Sequence, residues 1–230
     1  MSLQAPFPYF GGKSKAASLI WARFGDVQNY VEPFAGSLAV LLARPHAPKT
    51  ETVNDLDGFI SNFWRATTFA PLEVVQHADW PVNENDLTAR HLYLVERRDD
   101  LSARLEADPY FFDAQIAGWW VWGQCCWIGS GWCSGKGSWT AIDGKLVKVE
   151  RTEAAADSRR LPHMGDAGKG VNRKRPHLAN GGRGIQRQLP HLSHAGTGVS
   201  RSSINDGLEQ WFADLSHRMR RVRVATGRVL

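Results

Sequence analysis

The sequence predicts an α/β fold built around a parallel sheet, and three observations support this. Residues 29–32 form a short strand-like segment that ends at a proline and a glycine turn, and residues 50–54 form a second one. A helix-like segment follows each of them. This order is typical of parallel strands joined by helices. The 230 residues, 43% of them hydrophobic, suffice for one such domain with a sizeable insertion or for two small domains.

The helices of the first part follow from apolar spacing and from capping residues. Residues 13–24 carry apolar side chains along one helical face. Gly36 and Ser37 are predicted to open a helix that runs to Leu42, with Ser37 as its N-cap. Residues 58–66 form the helix after the second strand.

Three further elements are predicted in the rest of the chain. Residues 84–107 are rich in Leu, Ala, Arg and Glu, which indicates one or two surface helices. Residues 207–220 form an amphipathic helix, and residues 222–225 begin another strand.

Between these elements, residues 119–139 hold six of the ten tryptophans. Indole rings can stack on bases, but a tryptophan-rich stretch more often belongs to the core because each ring buries a large apolar area. Core positions are expected for Trp119, Trp120 and Trp122. Trp132 and Trp139 lie among Gly and Ser, and we expect them to be more exposed.

Composition excludes several classes of protein. No apolar run reaches the length of a membrane span, and residues 1–8 do not resemble a secretory signal. The three cysteines, Cys125, Cys126 and Cys133, fit a reducing cytosol and lack the Cys-x-x-Cys spacing of a zinc site, so no metal is expected.

Positive charge is concentrated in one segment. Residues 158–202 contain nine Lys and Arg but one acid, a net charge of +8 within a chain whose total is +5. Such a segment favours a polyanionic partner, although a solvated basic loop has the same composition.

The same segment contains three copies of a 14-residue repeat over residues 162–201. Each copy begins with Pro-His and continues with Gly-x-Gly, an aliphatic residue and an arginine. The copies are polar and glycine-rich, so we expect an extended surface insertion. The recurring Arg173, Arg187 and Arg201 could contact phosphates or guanine, whereas the Pro-His pairs could instead pack the repeats together.

The loop after the first strand is the best candidate for a ligand site. Ligands of open α/β sheets bind beyond the carboxyl ends of the strands, near a helix N-terminus. Pro33 and Gly36 allow a sharp turn, Glu32 could meet a positive group, and Asp55 is placed to accept hydrogen bonds from ribose hydroxyls. An ordinary strand–turn–helix with a capping acid is the alternative.

Three motifs together resemble the Dam-type (class D12) adenine-specific DNA methyltransferases. They are residues 8–13 (Pro-Tyr-Phe-Gly-Gly-Lys), residues 32–37 (Glu-Pro-Phe-Ala-Gly-Ser), and Asn54-Asp55 with Asn62 downstream. The resemblance implies methylation of the adenine exocyclic amine in double-stranded DNA, with S-adenosyl-L-methionine as cofactor. It also implies an incomplete class-I methyltransferase (Rossmann-like) sheet with a helical or irregular DNA-recognition insertion.

The resemblance also implies roles for particular residues. Tyr9 would stack on the adenine region of the cofactor, Lys13 would lie at the face between cofactor and DNA, and Asp55 would hold the ribose. The full expected cofactor set is Tyr9, Phe10, Gly11, Gly12, Lys13, Glu32, Pro33, Phe34, Gly36 and Asp55. The expected DNA contacts are Lys13, Arg173, Arg187 and Arg201.

The catalytic motif of that family is an Asp-Pro-Pro-Tyr-type loop, which accepts hydrogen bonds from the flipped base. The tetrapeptide does not occur in this sequence. The nearest string, Asp108-Pro109-Tyr110, follows a charged helical segment, and we interpret it as a helix stop. Since the family places this loop last, we expect it beyond Leu230, through truncation or natural loss, and no methyl transfer by residues 1–230 alone.

The predicted organisation has three parts: residues 1–70 bind the cofactor, residues 71–205 form the recognition insertion, and residues 206–230 return to the sheet. The expected protein is a monomeric enzyme of bacterial or phage type, of the kind found in restriction-modification, in the cytoplasm of a bacterial host or phage-infected cell. Two alternatives are a catalytically inactive DNA-binding protein derived from such an enzyme and an RNA methyltransferase of related fold.

Overall fold

A computed structural model describes residues 3–7, 9, 13–127, 132–133, 139–142, 145–148 and 201–228. The helices within these ranges are α1 (Ala17–Phe24), α2 (Ala39–Leu42), α3 (Gly58–Phe69), α4 (Pro71–Ala78), α5 (Glu84–Ala107), α6 (Ala114–Cys126) and α7 (Arg201–Met219). The strands are β1 (Asn29–Glu32), β2 (Thr50–Asp55), β3 (Trp139–Ile142), β4 (Lys145–Lys148) and β5 (Val222–Thr226).

Three of these strands form a parallel sheet in the order β1-β2-β5. Val31 of β1 lies opposite Thr52 of β2, and Asp55 at the end of β2 lies opposite Thr226 of β5. Strands β3 and β4 form a separate antiparallel pair. The predicted α/β fold with a parallel sheet is confirmed, and β5 extends this sheet on the side of β2 that faces away from β1.

The N-terminal elements follow the prediction, apart from two helix starts. Helix α1 begins at Ala17, because residues 14–16 form a turn rather than helix. The prediction of Ser37 as an N-cap was wrong. Leu38 takes that position in a left-handed conformation, with φ of 54°, and no side chain caps α2.

The C-terminal helix also starts earlier than predicted. Arg201 is its first residue rather than part of an extended segment, although its side chain is outside the described residues. The remainder of the repeat segment, with Arg173 and Arg187, also lies outside them. The division of the chain into three parts stays a prediction.

One apolar core joins the sheet to the helices on both sides of residue 70. Its buried side chains extend along the chain from Phe7 to Val222 and include members of α3 to α7. The Phe7 ring packs edge-on or tilted against rings of α3 and α6, with centroids 4.9 Å from Trp120, 5.3 Å from Phe63 and 6.2 Å from Trp64. The N-terminal segment is therefore anchored against α3 and α6.

Helix α3 lies at the centre of this core, and all residues from Gly58 to Thr68 are buried. Buried polar side chains need hydrogen-bond partners, and Asn62 and Arg65 of α3 find them in neighbouring backbone. Asn62 and Asp113 bond reciprocally, through Asn62 Nδ2 to the Asp113 carbonyl at 2.8 Å and the Asp113 amide to Asn62 Oδ1 at 2.7 Å. The start of α6 is thereby fixed against α3.

Arg65 makes the corresponding contacts further along α3. Its guanidinium donates to backbone carbonyls at the end of α5, in the segment that follows and in β5. These carbonyls belong to Leu105, Asp108, Phe111 and Val224. A single buried cation thus joins three parts of the fold without a carboxylate partner among these contacts.

The tryptophan-rich stretch is mostly core, as predicted. Trp120 and Trp122 are buried and Trp119 is half-buried. The prediction of an exposed Trp132 was wrong, since 7% of this residue is exposed and its Nε1 donates to the Trp120 carbonyl at 3.0 Å. The reason is Gly123, whose missing side chain leaves the space that the indole fills. The side chain of Trp139 lies outside the described residues.

A buried cluster of charges connects β2 to the two helices that cover it. Glu51 accepts from Arg44 at 2.9 Å and from Arg218 of α7 at 2.7 Å. The exposed fractions of the Glu51, Arg44 and Arg218 side chains are 0%, 1% and 14%. The arginines also donate to backbone carbonyls, so the cluster fixes α2 and α7 relative to the sheet.

We predict that Glu51→Gln destabilises the protein by about 3–5 kcal/mol, because it removes the buried carboxylate that Arg44 and Arg218 share and leaves Arg44 with the more distant Asp26, at 3.5 Å. Urea unfolding at neutral pH measures the loss. Lys49→Gln removes the more exposed Lys49–Asp26 ion pair and is expected to change stability by about 0–1 kcal/mol. Equal losses for the two variants would contradict the assignment of Glu51 as a buried anchor.

We also predict that Gly123→Ala destabilises by about 3 kcal/mol, since a Cβ there would lie 1.9 Å from Trp132 Cζ2 and would displace the ring. Gly207→Ala is the control, because a Cβ at Gly207 of α7 has nothing within 4 Å. This second change is expected to stabilise by about 0.5–1 kcal/mol through helix propensity. Thermal unfolding of both variants tests the pair, and a tolerated Gly123→Ala would refute the packing.

Candidate functional site

The carboxyl ends of β1 and β2 bring a glycine turn into direct contact with a carboxylate. The Gly36 amide donates to Asp55 Oδ2 at 2.8 Å, and the Asp57 amide donates to Asp55 Oδ1 at 3.0 Å. A carboxylate has about four lone-pair positions, so roughly two remain for other donors. Asp55 is partly exposed. The loop and the acid face one another, and the acid retains capacity to bind.

The conformation of this turn requires glycine at residue 36. Gly36 has a φ of +50°, and a Cβ built on it would lie 2.8 Å from Tyr9 Cδ1. A side chain there would therefore strain the backbone and displace the tyrosine ring. On the other side, Trp64 Nε1 donates to the Gly36 carbonyl at 2.9 Å. The turn is held by β2, by α3 and by the N-terminal segment.

Leu38, two residues later, is in the left-handed region with a φ of 54°. The conformation costs a non-glycine residue about 1–3 kcal/mol. The Leu38 side chain is fully buried in the core, which sustains the strained backbone. Both unusual residues therefore belong to the same loop between β1 and α2.

Lys13 and Glu32 form an ion pair on the β1 side of the loop. Lys13 Nζ lies 2.9 Å from Glu32 Oε1 and donates to the Phe34 carbonyl at 2.6 Å. Glu32 is 4% exposed, and its other oxygen accepts from the Tyr30 hydroxyl at 2.9 Å. Burial and the Glu32 charge raise the pKa of Tyr30, so its hydroxyl stays protonated and donates to Glu32. Lys13 is the more exposed partner, at 37%.

Tyr9 covers the turn from the solvent side. It is 39% exposed, and its ring lies against Gly36. Burial and the nearby charges of Asp55 and Asp57 raise the pKa of Tyr9 to about 12. Its hydroxyl is therefore protonated at neutral pH, and the ring presents an uncharged face at the edge of the site.

Two exposed apolar side chains and a second acid complete this edge. Phe34, two residues beyond β1, is 71% exposed, and Leu56, directly after β2, is 64% exposed. Asp57 caps α3, and its Oδ1 accepts from the Phe59 amide at 2.9 Å. Burial, reinforced by Asp55, raises the pKa of Asp57. Sequence reasoning missed Leu56 and Asp57. An apolar residue directly after a strand-end acid was the available signal.

The structure brings most of the expected cofactor residues to this one edge. The described members are Tyr9, Lys13, Glu32, Pro33, Phe34, Gly36 and Asp55. Phe10, Gly11 and Gly12, and the expected DNA contacts Arg173 and Arg187, lie outside the described residues. For Arg201 the structure describes backbone alone. The functional roles of all these residues stay predictions.

The string Asp108-Pro109-Tyr110 lies elsewhere, at the end of α5. Asp108 is the C-cap of this helix, and its side chain accepts from the Tyr110 amide at 2.8 Å. The Asp108 carbonyl bonds to Arg65 in the second half of α3, and Tyr110 is 78% exposed. The interpretation of this string as a helix stop is confirmed by its geometry.

Two other kinds of site are absent from the described part of the chain. It holds no group of three or more His, Cys, Asp or Glu residues that could bind a metal ion. None of its helices combines the length and apolarity needed to span a bilayer. Cys125, Cys126 and Cys133 form no disulfide bond within the described residues, and burial raises the pKa of Cys125 and of Cys133.

Comparison with known protein families gives one match. Residues 9–110 match the family model described as D12 class N6 adenine-specific DNA methyltransferase. The matched segment includes β1, β2 and the described site residues from Tyr9 to Asp57. The match confirms the resemblance that the three motifs indicated, and supports a D12-type adenine methyltransferase. No curated protein matches the chain.

The raised pKa of Asp57 predicts a pH-dependent gain from Asp57→Asn. A carboxyl whose pKa is higher in the folded state destabilises the fold when charged, above that pKa, and has no such effect when protonated in both states. Asparagine keeps the capping oxygen but cannot ionise. We expect the variant to be more stable than the parent at about pH 7 and equally stable at about pH 3.

Urea midpoints at the two pH values measure this difference. Asp99→Asn is the control, because the Asp99 side chain is 92% exposed, and its effect should stay within about 0.5 kcal/mol. A variant of Asp57 that is less stable than the parent near neutral pH would show that its charge stabilises the fold.

Proposed function

We propose that this chain, whose residues 9–110 are of D12 type, binds S-adenosyl-L-methionine at the carboxyl edge of β1 and β2 and serves the methylation of the adenine exocyclic amine in double-stranded DNA. The observation that carries the proposal is the 2.8 Å contact between the Gly36 amide and Asp55. In this contact, a glycine turn that a ligand can approach closely lies beside a carboxylate that can accept further hydrogen bonds. We assign the sheet to the class-I methyltransferase fold on the same basis.

The groups at this edge fit the nucleoside part of the cofactor. The two amides that bond Asp55 fix the direction of its carboxylate, and its remaining lone pairs are suited to the ribose hydroxyls. Tyr9, Phe34 and Leu56 offer exposed apolar surface nearby, which suits an adenine ring. Polar and apolar groups therefore meet at one edge, as a nucleoside requires.

Glu32 fits the amino-acid part of the cofactor. Its carboxylate is almost entirely buried but is reached from solvent by the Lys13 ammonium. A cationic amine is therefore a suitable partner at this position. We assign Glu32 to the ammonium of the cofactor and Lys13 to the face shared with DNA.

The chemistry is direct methyl transfer. When bound, the cofactor supplies an electrophilic methyl group on a sulfonium sulfur. The residues of this chain would hold the reactants in line, which lowers the barrier by restricting their relative motion. Because no Asp-Pro-Pro-Tyr occurs in the sequence, we assign no residue of this chain to the amine of the target base.

The DNA would lie against the basic part of the chain. Residues 158–202 carry a net charge of +8, and phosphate contacts by Arg173, Arg187 and Arg201 would give salt-dependent affinity. We place the protein in the cytoplasm of a bacterial host or phage-infected cell. A second candidate function is DNA binding without catalysis, which the basic segment 158–202 would support by itself.

Calorimetry with S-adenosyl-L-methionine tests the proposal. Asp55→Asn should weaken binding about tenfold or more, since an amide presents one acceptor oxygen where the carboxylate presents two. Asp108→Asn changes an acid away from the site and should bind like the parent. If the parent does not bind the cofactor but shifts duplex DNA in a gel, the function is DNA binding alone.

A further inference from the structure

One oxygen of the buried Glu32 carboxylate is already paired with a primary ammonium of the chain itself. Lys13 Nζ is 2.9 Å from Glu32 Oε1, while Tyr30 occupies Glu32 Oε2 at 2.9 Å. Because Glu32 is 4% exposed, its carboxylate has little room for a second cation. Lys13 also donates to the Phe34 carbonyl at 2.6 Å, so its position on the loop is well defined.

We propose that Lys13 and the ammonium of the cofactor's amino-acid part compete for Glu32, so that binding of the cofactor displaces Lys13. The inference rests on the proposed function. Both groups are compact ammonium ions with three donors, and they suit the same carboxylate oxygen equally well. Two such ions on one oxygen would repel each other at close range, where screening by water is weak. One therefore excludes the other.

The displaced Lys13 side chain can move into solvent. Its side chain is 37% exposed, and it precedes α1 in a turn rather than lying within a helix. Paired with Glu32, its charge is neutralised. Once released, it adds a free positive charge at the rim of the site, where a phosphate can accept from it. Cofactor binding is then coupled to DNA binding, and by reciprocity DNA favours the cofactor.

In this arrangement Lys13 determines specificity. It weakens the binding of ligands that carry an ammonium and does not affect the affinity for ligands that lack one. Two nucleosides separate these cases. S-adenosylhomocysteine carries the amino-acid part, and 5′-methylthioadenosine shares the nucleoside but lacks the ammonium. We expect Lys13→Met to bind S-adenosylhomocysteine about tenfold more tightly than the parent and 5′-methylthioadenosine equally.

Calorimetry with both nucleosides on the full chain measures these affinities. Lys15→Met is the matched control, since it removes the same charge two residues away at an exposed position, and neither affinity should change. Lys13→Gln is a second variant that loses the charge but keeps a donor for the Phe34 carbonyl. It should show the same gain as Lys13→Met, and urea unfolding establishes that each variant is folded.

The outcomes separate the two proposals. Unchanged or weaker binding of S-adenosylhomocysteine by both Lys13 variants, with a parent that binds both nucleosides, would overturn the competition and leave the proposed function standing. A gain for both nucleosides alike would also overturn it, because the effect would not depend on the ammonium. If the parent and all variants bind neither nucleoside, the proposed function fails and this inference fails with it.

Discussion

The constraint on which the rest of the structure depends is the burial of α3. Most polar side chains of this helix, which is buried from Gly58 to Thr68, find hydrogen-bond partners inside the protein, because an unpaired polar group is costly to bury. Asn62 donates a hydrogen bond to backbone at the start of α6, and Arg65 donates to backbone carbonyls at the end of α5 and on β5. The Trp64 indole donates a hydrogen bond to the Gly36 carbonyl of the candidate site. The positions of the surrounding elements follow from these bonds.

Two groups of paired charges in the molecule differ in how firmly they are held. Glu51 with Arg44 and Arg218 is buried, and each arginine is also held by backbone carbonyls, so this cluster has one arrangement. The Lys13–Glu32 pair has one buried and one exposed partner. Its carboxylate is buried and held by the Tyr30 hydroxyl, while its ammonium is accessible to solvent. Fixed charges suit the framework, and an exchangeable ion pair suits a site that must admit a charged ligand.

The sequence predicted the parts of the fold that have local signals. Strand β1 and helix α5 have the predicted bounds, because a proline and glycine turn end the strand and a long polar pattern defines the helix. Helix α6 was missed since it is apolar on all sides, so no helical period is visible in its sequence. The Ser37 cap failed because tertiary packing, not local preference, sets the conformation of Leu38.

The residues of the candidate site could be predicted from the sequence, but the hydrogen bonds and the ion pair between them could not. Motif spacing placed Glu32, Gly36 and Asp55 at one sheet edge, and the structure brings them there. The bond between Gly36 and Asp55 joins residues from two strands, and the pairing of Lys13 with Glu32 depends on how the N-terminal segment folds back. Neither contact has a local sequence signal. Arg65 is a similar case, since its partners lie about forty residues away or more.

The left-handed backbone at Leu38 has a consequence for protein engineering. Glycine would adopt this backbone freely, but leucine adopts it because the surrounding core encloses its side chain. A short peptide with the sequence of this turn has no such enclosure and would relax to an ordinary right-handed geometry. Transplanting the turn into another scaffold therefore requires copying the cavity around Leu38 and the indole of Trp64 as well as the residues of the turn itself.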